Sequence, residues 1–203
     1  MALDAESGSV ARSSPGDERG RLVDQVIAER RTSLLVDADL PLPDDLVDHL
    51  IAAATWAPNH KRTWPWRFTV VSGDARARFG KELATAGEDA GLDPAKADKV
   101  RSKYLRSPTL VLVWVAHREG DDAVRVREDR DATAAAVQNL LLSATAAGLA
   151  SYWATLSDAL VPAAREVCDV GQDHDLVALT YLGWPTGTVA VPERPDPIVK
   201  RLF

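Results

Sequence analysis

Two short stretches of this chain bring together residue types that could hold an anionic, flat molecule. The first is Arg30-Arg31-Thr32, which follows a helical pattern. A guanidinium presents a planar fork of N–H donors that can take a phosphate through two parallel hydrogen bonds, with the Thr32 hydroxyl assisting. With no ligand at all, the same arginines would cap the open carbonyls of a helix end, where the helix dipole favours positive charge. The second stretch is Trp56 to Phe68, WAPNHKRTWPWRF. It sets two prolines, His60-Lys61-Arg62 and the indoles of Trp56, Trp64 and Trp66 into one short connection. A loop so rich in aromatic and cationic side chains, held between regular elements, is where a bound ligand is expected. The alternative is a solvated loop whose Trp64 and Trp66 belong to the core.

Other chemistries lack their residues. There is no G-x-G-x-x-G dinucleotide fingerprint, no G-x-x-x-x-G-K-S/T phosphate loop and no G-x-S-x-G nucleophile elbow. The histidines His49, His60, His117 and His174 are scattered, and none pairs with Cys168 or a carboxylate at ligand spacing, so no metal site is expected. Asp173-His174-Asp175 falls between a helix and a strand and reads as a solvated turn.

Composition narrows the partners. The 203 residues carry a net charge of -6, which argues against nucleic acid or an anionic membrane. Cys168 is the only cysteine, so no intrachain disulfide can form and a reducing, cytoplasmic setting is the simplest home. The first residues are polar and show no secretory signal. Ala132 to Ser157 carries no charge, but Gln138, Asn139 and many alanines make it a helix buried in protein rather than a membrane span.

The elements that must position these residues follow from periodicity. Met1 to Gly20 reads as a disordered tail and residues 21–203 as one domain. Helices are expected from Arg21 to Glu29, from Asp44 to about Trp56, from Asp74 to Gly91, from Pro94 to Tyr104, from Arg125 to Gly148 and from Val161 to Val170. The third and fourth are polar enough to lie on the surface. Strands are expected at Arg67 to Ser72, Thr109 to Ala116, Ala150 to Thr155 and Leu176 to Leu182, and an extended, Pro-spaced tail from Thr186. TLVLVWVA, the second of these, has no polar face and should be a central strand. Helices and strands mix without regular alternation, which favours α+β.

In this order the stretches resemble the nitroreductase family of flavoproteins. Arg30-Arg31-Thr32 stands where that family has Arg-Arg-Ser. Some 25 residues later, APNHKRTWPWRFTVV resembles its Ala-Pro followed by Gln-Pro-Trp and a strand. His60-Lys61 after Ala57-Pro58 is similar to the small YdjA-like minimal branch. Downstream, an Ala-rich helix ends at Gly148-Leu149, and Tyr152-Trp153-Ala154-Thr155 stands where that branch has a Trp-Arg-Ser flavin contact. Tyr181-Leu182-Gly183 with Pro185, then Pro195-Asp196-Pro197, complete the likeness.

The resemblance implies an α+β, nitroreductase-like fold whose central sheet is mixed but mainly antiparallel. It implies a homodimer with two FMN sites at its interface. It also implies ping-pong chemistry, in which NADH or NADPH gives hydride to flavin N5 and a nitroaromatic, quinone or related acceptor is reduced. Carried over by position, Arg30 and Thr32 hold the phosphate and ribityl end, with Arg31 nearby. His60 and Trp64 lie against the flavin, and Trp153, Ala154 and Thr155 line the ring from the other side. Ser143 to Gly148 approaches the nicotinamide, and Lys200 or Arg201 completes the phosphate site. Lys61 and Arg62 are candidates for the positive charge that the reduced ring needs. The chain departs from the family pattern at Trp64 (glutamine), Arg62 (a polar residue), Ala154 (arginine) and Thr32 (serine). The loss of an amide and an arginine leaves open a protein on the same scaffold that binds flavin or another planar ligand with little or no turnover.

Overall fold

The computed structural model describes residues 15–203. Its middle layer is a four-stranded sheet in the order β1-β2-β4-β3. The strands are β1 (Trp66–Ser72), β2 (Thr109–Ala116), β3 (Ala150–Ala154) and β4 (His174–Gly183). All three pairings are antiparallel. The parallel component expected of a mixed sheet is reduced, among the described residues, to an isolated bridge between Thr32 and Ser151. β2 lies between β1 and β4, and Thr109 to Val115 are all buried. A strand with no polar side needs both faces covered.

The helices supply the two covers. On one face α5 (Ala123–Ala146) and α2 (Asp44–Ala54) pack Val137, Leu140, Leu141, Val47 and Leu50 against Val111, Val113 and Ala178. On the other, α3 (Ala75–Asp89), α4 (Pro94–Lys103) and α6 (Val161–Val167) cover Leu110, Leu112 and Trp114 with Phe79, Leu83, Val100 and Ala164. Alternate residues of β2 thus serve opposite layers, as strand geometry requires. α3 and α4 lie on the surface as expected, each turning a polar side to solvent and burying one apolar face. α3 buries Phe79, Gly80, Leu83, Ala84 and Gly87, and it approaches α4 so closely that a side chain at Gly80 would collide with the Arg101 carbonyl.

α1 (Pro15–Glu29) begins six residues before the expected Arg21, so the end of the expected tail is helical; residues 1–14 lie outside the described residues. Asp17 and Glu18 in its first turn favour that start through the helix dipole. The uncharged stretch from Ala132 to Ser157 is split between α5 and β3 by a turn at Gly148, whose φ is 76°. Among the described residues no helix is long and apolar enough to cross a membrane. The Asp173-His174-Asp175 turn keeps both aspartates exposed, as expected, and is also tied down. Asp175 lies 3.0 Å from His117 Nε2 and accepts from Arg165 Nη2 at 3.0 Å, while His174 Nδ1 sits 2.8 Å from Asp173.

Candidate functional site

The edge strand β3 gathers the first group of residues. The chain leaving α1 runs alongside it: Thr32 bridges Ser151, and the Ser33 N–H donates to the Ser151 carbonyl at 2.8 Å. The two readings of the arginine pair divide between neighbours. Arg31 Nη1 donates to the Ala28 carbonyl at 2.5 Å and to the Arg30 carbonyl at 2.8 Å, so Arg31 caps the end of α1. Arg30 is half-buried, and its guanidinium has no hydrogen-bond or ion-pair partner among the described residues. Beside Thr32, the Ser151 hydroxyl is only 1% exposed and likewise unpartnered. Leaving such a hydroxyl unsatisfied costs about 1–3 kcal/mol. A free arginine, an exposed threonine and an orphaned serine hydroxyl along one edge suit a polar, anionic ligand.

Further along β3 lies a cavity of about 640 Å³ whose wall includes Trp153, Ala154 and Thr155. Trp153 is half open to solvent, whereas Ala154 packs with Tyr152 into the α3–α6 layer while its edge still lines the cavity. Arg130 of α5 and Arg165 of α6 line the same space. Neither was foreseen from the sequence, where nothing in their spacing ties them to Trp153. Arg165 is engaged by the His174 carbonyl and Asp175, but Arg130 is exposed and unpartnered among the described residues.

The second group sits on the turn between α2 and β1. Lys61, Arg62 and Trp64 have φ of 62°, 54° and 49°. Left-handed backbone costs a residue with a side chain about 1–2 kcal/mol, so the turn must be held from outside. Asn59 and Asp129 hold it. The Trp64 N–H donates to Asn59 Oδ1 at 2.8 Å, and Asn59 Nδ2 donates to Thr63 Oγ1 at 2.9 Å. Thr63 Oγ1 donates to the buried Asp129 carboxylate of α5 at 2.5 Å. Arg118 reaches the Thr63 carbonyl at 2.7 Å, and Arg125 the His60 carbonyl at 3.3 Å. His60 Nδ1 lies 2.9 Å from Glu128, which Arg125 also meets at 3.1 Å. The hydrogen bond from His60, above all, holds the Glu128 carboxyl below its ordinary range against the opposing effect of burial. Trp66 is core, as one reading allowed; Trp64 is not, being 52% exposed with its ring edge-on to Trp66 at 5.8 Å.

Within one chain the arginine end of the first group stays apart from the turn, with α5 as the ruler, whereas Arg130 in the wall of the Trp153 cavity is two residues from Glu128. Arg31 shares a groove with Thr145, near the end of that helix and within the expected Ser143 to Gly148 segment. His60 meets Glu128, near its start. Those helix positions are separated by about 25 Å at 1.5 Å per residue. Lys200 joins neither group. It lies in a tail exposed from Pro185 onward, without a hydrogen-bond or ion-pair partner among the described residues.

The fold and these two groups define an α+β protein with an antiparallel core that presents a cationic strand edge and a cationic aromatic turn. The chain belongs to the nitroreductase family, whose family model matches residues 27–184. It is 28% identical over 179 residues to YdjA of Escherichia coli strain K12, a protein named as an NAD(P)H nitroreductase, covering 86% of this chain and 96% of that one. It superposes on a nitroreductase-like family protein from Bacillus cereus with a TM-score of 0.72 at 24% identity, over 87% of this chain and 91% of that one. The FMN-dependent nitroreductase NfnB from Mycobacterium smegmatis, solved in complex with NADPH, gives a TM-score of 0.70 at 17% identity, over 90% and 100%. At these identities the solved structures speak for the fold.

Proposed function

We propose that this protein is an FMN-dependent oxidoreductase that takes electrons from NAD(P)H and delivers them to a nitroaromatic, quinone or related acceptor, acting as a homodimer with two shared sites. The observation that carries this is the unpartnered Arg30 guanidinium beside Thr32 and the orphaned Ser151 hydroxyl, on the strand that leads to Trp153 and its cavity. These residues fit FMN. Arg30 would take the phosphate, Thr32 and Ser151 the neighbouring oxygens, and Trp153, Thr155 and Arg130 one side of the ring. FMN, when bound, supplies the redox chemistry, accepting hydride from one partner and returning electrons to another.

The turn at His60 to Trp64 is about 25 Å along α5 from the groove of Arg31, the neighbour of Arg30, in its own chain, so it would complete the site of a second copy. The exposed apolar side chains Leu22, Val23 and Ile27 of α1, and Ile198, Leu202 and Phe203 of the tail, give such a copy surface to cover. A covered tail would bring Lys200 or Arg201 to a phosphate.

The test is spectroscopic. Protein incubated with excess FMN and desalted should keep a flavin absorption band and oxidise NAD(P)H only when an acceptor is present. Protein that comes out colourless would end the flavin assignment. Trp64 and Ala154, where the family pattern has glutamine and arginine, favour one second reading: a binder with little turnover. It predicts a yellow protein that leaves NAD(P)H intact with every acceptor tried.

A further inference from the structure

The face of the turn between α2 and β1 carries a concavity of about 540 Å³ lined by Thr55, Trp56, Ala57, Trp64 and Trp66. Two of its indoles are turned outward: Trp56 is 87% exposed and Trp64 52%. Exposing large aromatic faces is unfavourable, and an open, indole-lined concavity of this kind suits a planar ring. The Trp64 backbone is fixed there in a left-handed conformation by its N–H bond to Asn59, so little backbone freedom is lost when a ligand arrives.

The charge around this slot is one-sided. The chain as a whole carries -6, yet Trp56 to Phe68 holds Lys61, Arg62 and Arg67 and not one carboxylate. Most cations near the turn are already used. Arg67 donates to the Trp64 and Trp66 carbonyls, Arg118 to the Thr63 carbonyl, and Arg125 to the His60 carbonyl and Glu128. The nearby carboxylates are used as well, Glu128 by His60 and Arg125, and Asp129 by Thr63. Of the turn's own cations, Lys61 and Arg62 remain. Both are exposed and have no hydrogen-bond or ion-pair partner among the described residues. They stand three and two residues from Trp64, within about 11 and 7 Å of chain.

Resting on the assignment above of this turn to the redox site, we propose that the acceptor is a planar aromatic acid, its ring seated on Trp56 and Trp64 and its carboxylate held by Lys61 and Arg62. A neutral aromatic gains only the stacking. An aromatic carboxylate gains the stacking and two charge-assisted contacts. Selectivity for the acid over its neutral counterpart is therefore a property of the two cations and not of the indoles.

Equilibrium dialysis of the FMN-treated protein against 4-nitrobenzoate and against nitrobenzene separates these contributions. The acid should bind roughly tenfold tighter or better, the size of one hydrogen bond to a charged group. That advantage should shrink in high salt. In the doubly substituted Lys61→Gln, Arg62→Gln protein it should vanish while nitrobenzene binding persists; both side chains are exposed, so the ties that hold the turn are kept. Trp64→Ala should weaken both ligands alike. Equal affinities for the two compounds in the unaltered protein, or a preference that survives in the double variant, would overturn the proposal. The visible spectrum of the same samples tells the two failures apart. A yellow protein without the preference defeats this inference alone, and a colourless one defeats the flavin assignment together with it.

Discussion

Arg30 and Arg31 are neighbours with different tasks, and single substitutions separate them. Arg31→Ala removes the guanidinium that caps α1 at Ala28 and Arg30. It should cost about 0.5–1.5 kcal/mol in urea unfolding and leave flavin affinity close to unchanged. Arg30→Ala removes a group without a partner among the described residues and should shift stability by less than about 0.5 kcal/mol. In a flavin titration it should lose roughly tenfold or more in affinity, the worth of a hydrogen bond to a charged phosphate. The Arg-Arg-Thr run was visible in the sequence, as either a helix cap or an anion holder. Which arginine caps and which stays free was not. That choice depends on where the backbone turns after Glu29, and Ser151, the serine it turns toward, is far along the chain.

The turn that carries His60 to Trp64 is an element made by other elements. Its left-handed residues are a lysine, an arginine and a tryptophan, none of which signals positive φ as glycine or asparagine does. Sequence could therefore place a loop there but not give its shape. What imposes that shape is Asp129, buried about two turns into α5, which no spacing links to Thr63. Asp129→Ala should unlatch the turn and cost about 1–3 kcal/mol, because Thr63 and Asn59 lose their buried acceptor. Amide exchange across residues 59–64 should accelerate more than across β2. Acid should act on the neighbouring tie between His60 and Glu128 in the same direction. Glu128 has a depressed pKa in the folded chain, so its contribution is present above the ordinary carboxylate value and is lost as pH falls through the lowered one. The strands and longer helices were legible for the opposite reason. TLVLVWVA is an unbroken apolar run of strand length and α2 carries a helical stripe, so both signals lie in their own residues. The start of α1 at Pro15 was also signalled, by a proline followed by Asp17 and Glu18, but the serines and glycines before it masked that signal.

At the scale of the molecule, the separation of Arg30 from the aromatic turn along α5 turns a question of cofactor binding into one of assembly. A twofold dimer that shares its sites takes Arg30 from one chain and Trp64 from the other at each of two places. Arg30→Glu alone, or Trp64→Glu alone, damages both sites of its own dimer and should abolish acceptor-dependent NAD(P)H oxidation. Mixed dimers behave differently. When one chain carries Arg30→Glu and its partner Trp64→Glu, one site holds both lesions and the other holds neither. Random pairing of co-expressed chains makes about half the dimers mixed, each with one intact site, so activity should return to about a quarter of the unaltered protein's. A site built within a single chain predicts no recovery whatever the mixture. Co-expression of the two variants, assayed for acceptor-dependent NAD(P)H oxidation against each variant alone, distinguishes the two arrangements, because restored activity requires Arg30 and Trp64 to meet across a chain boundary.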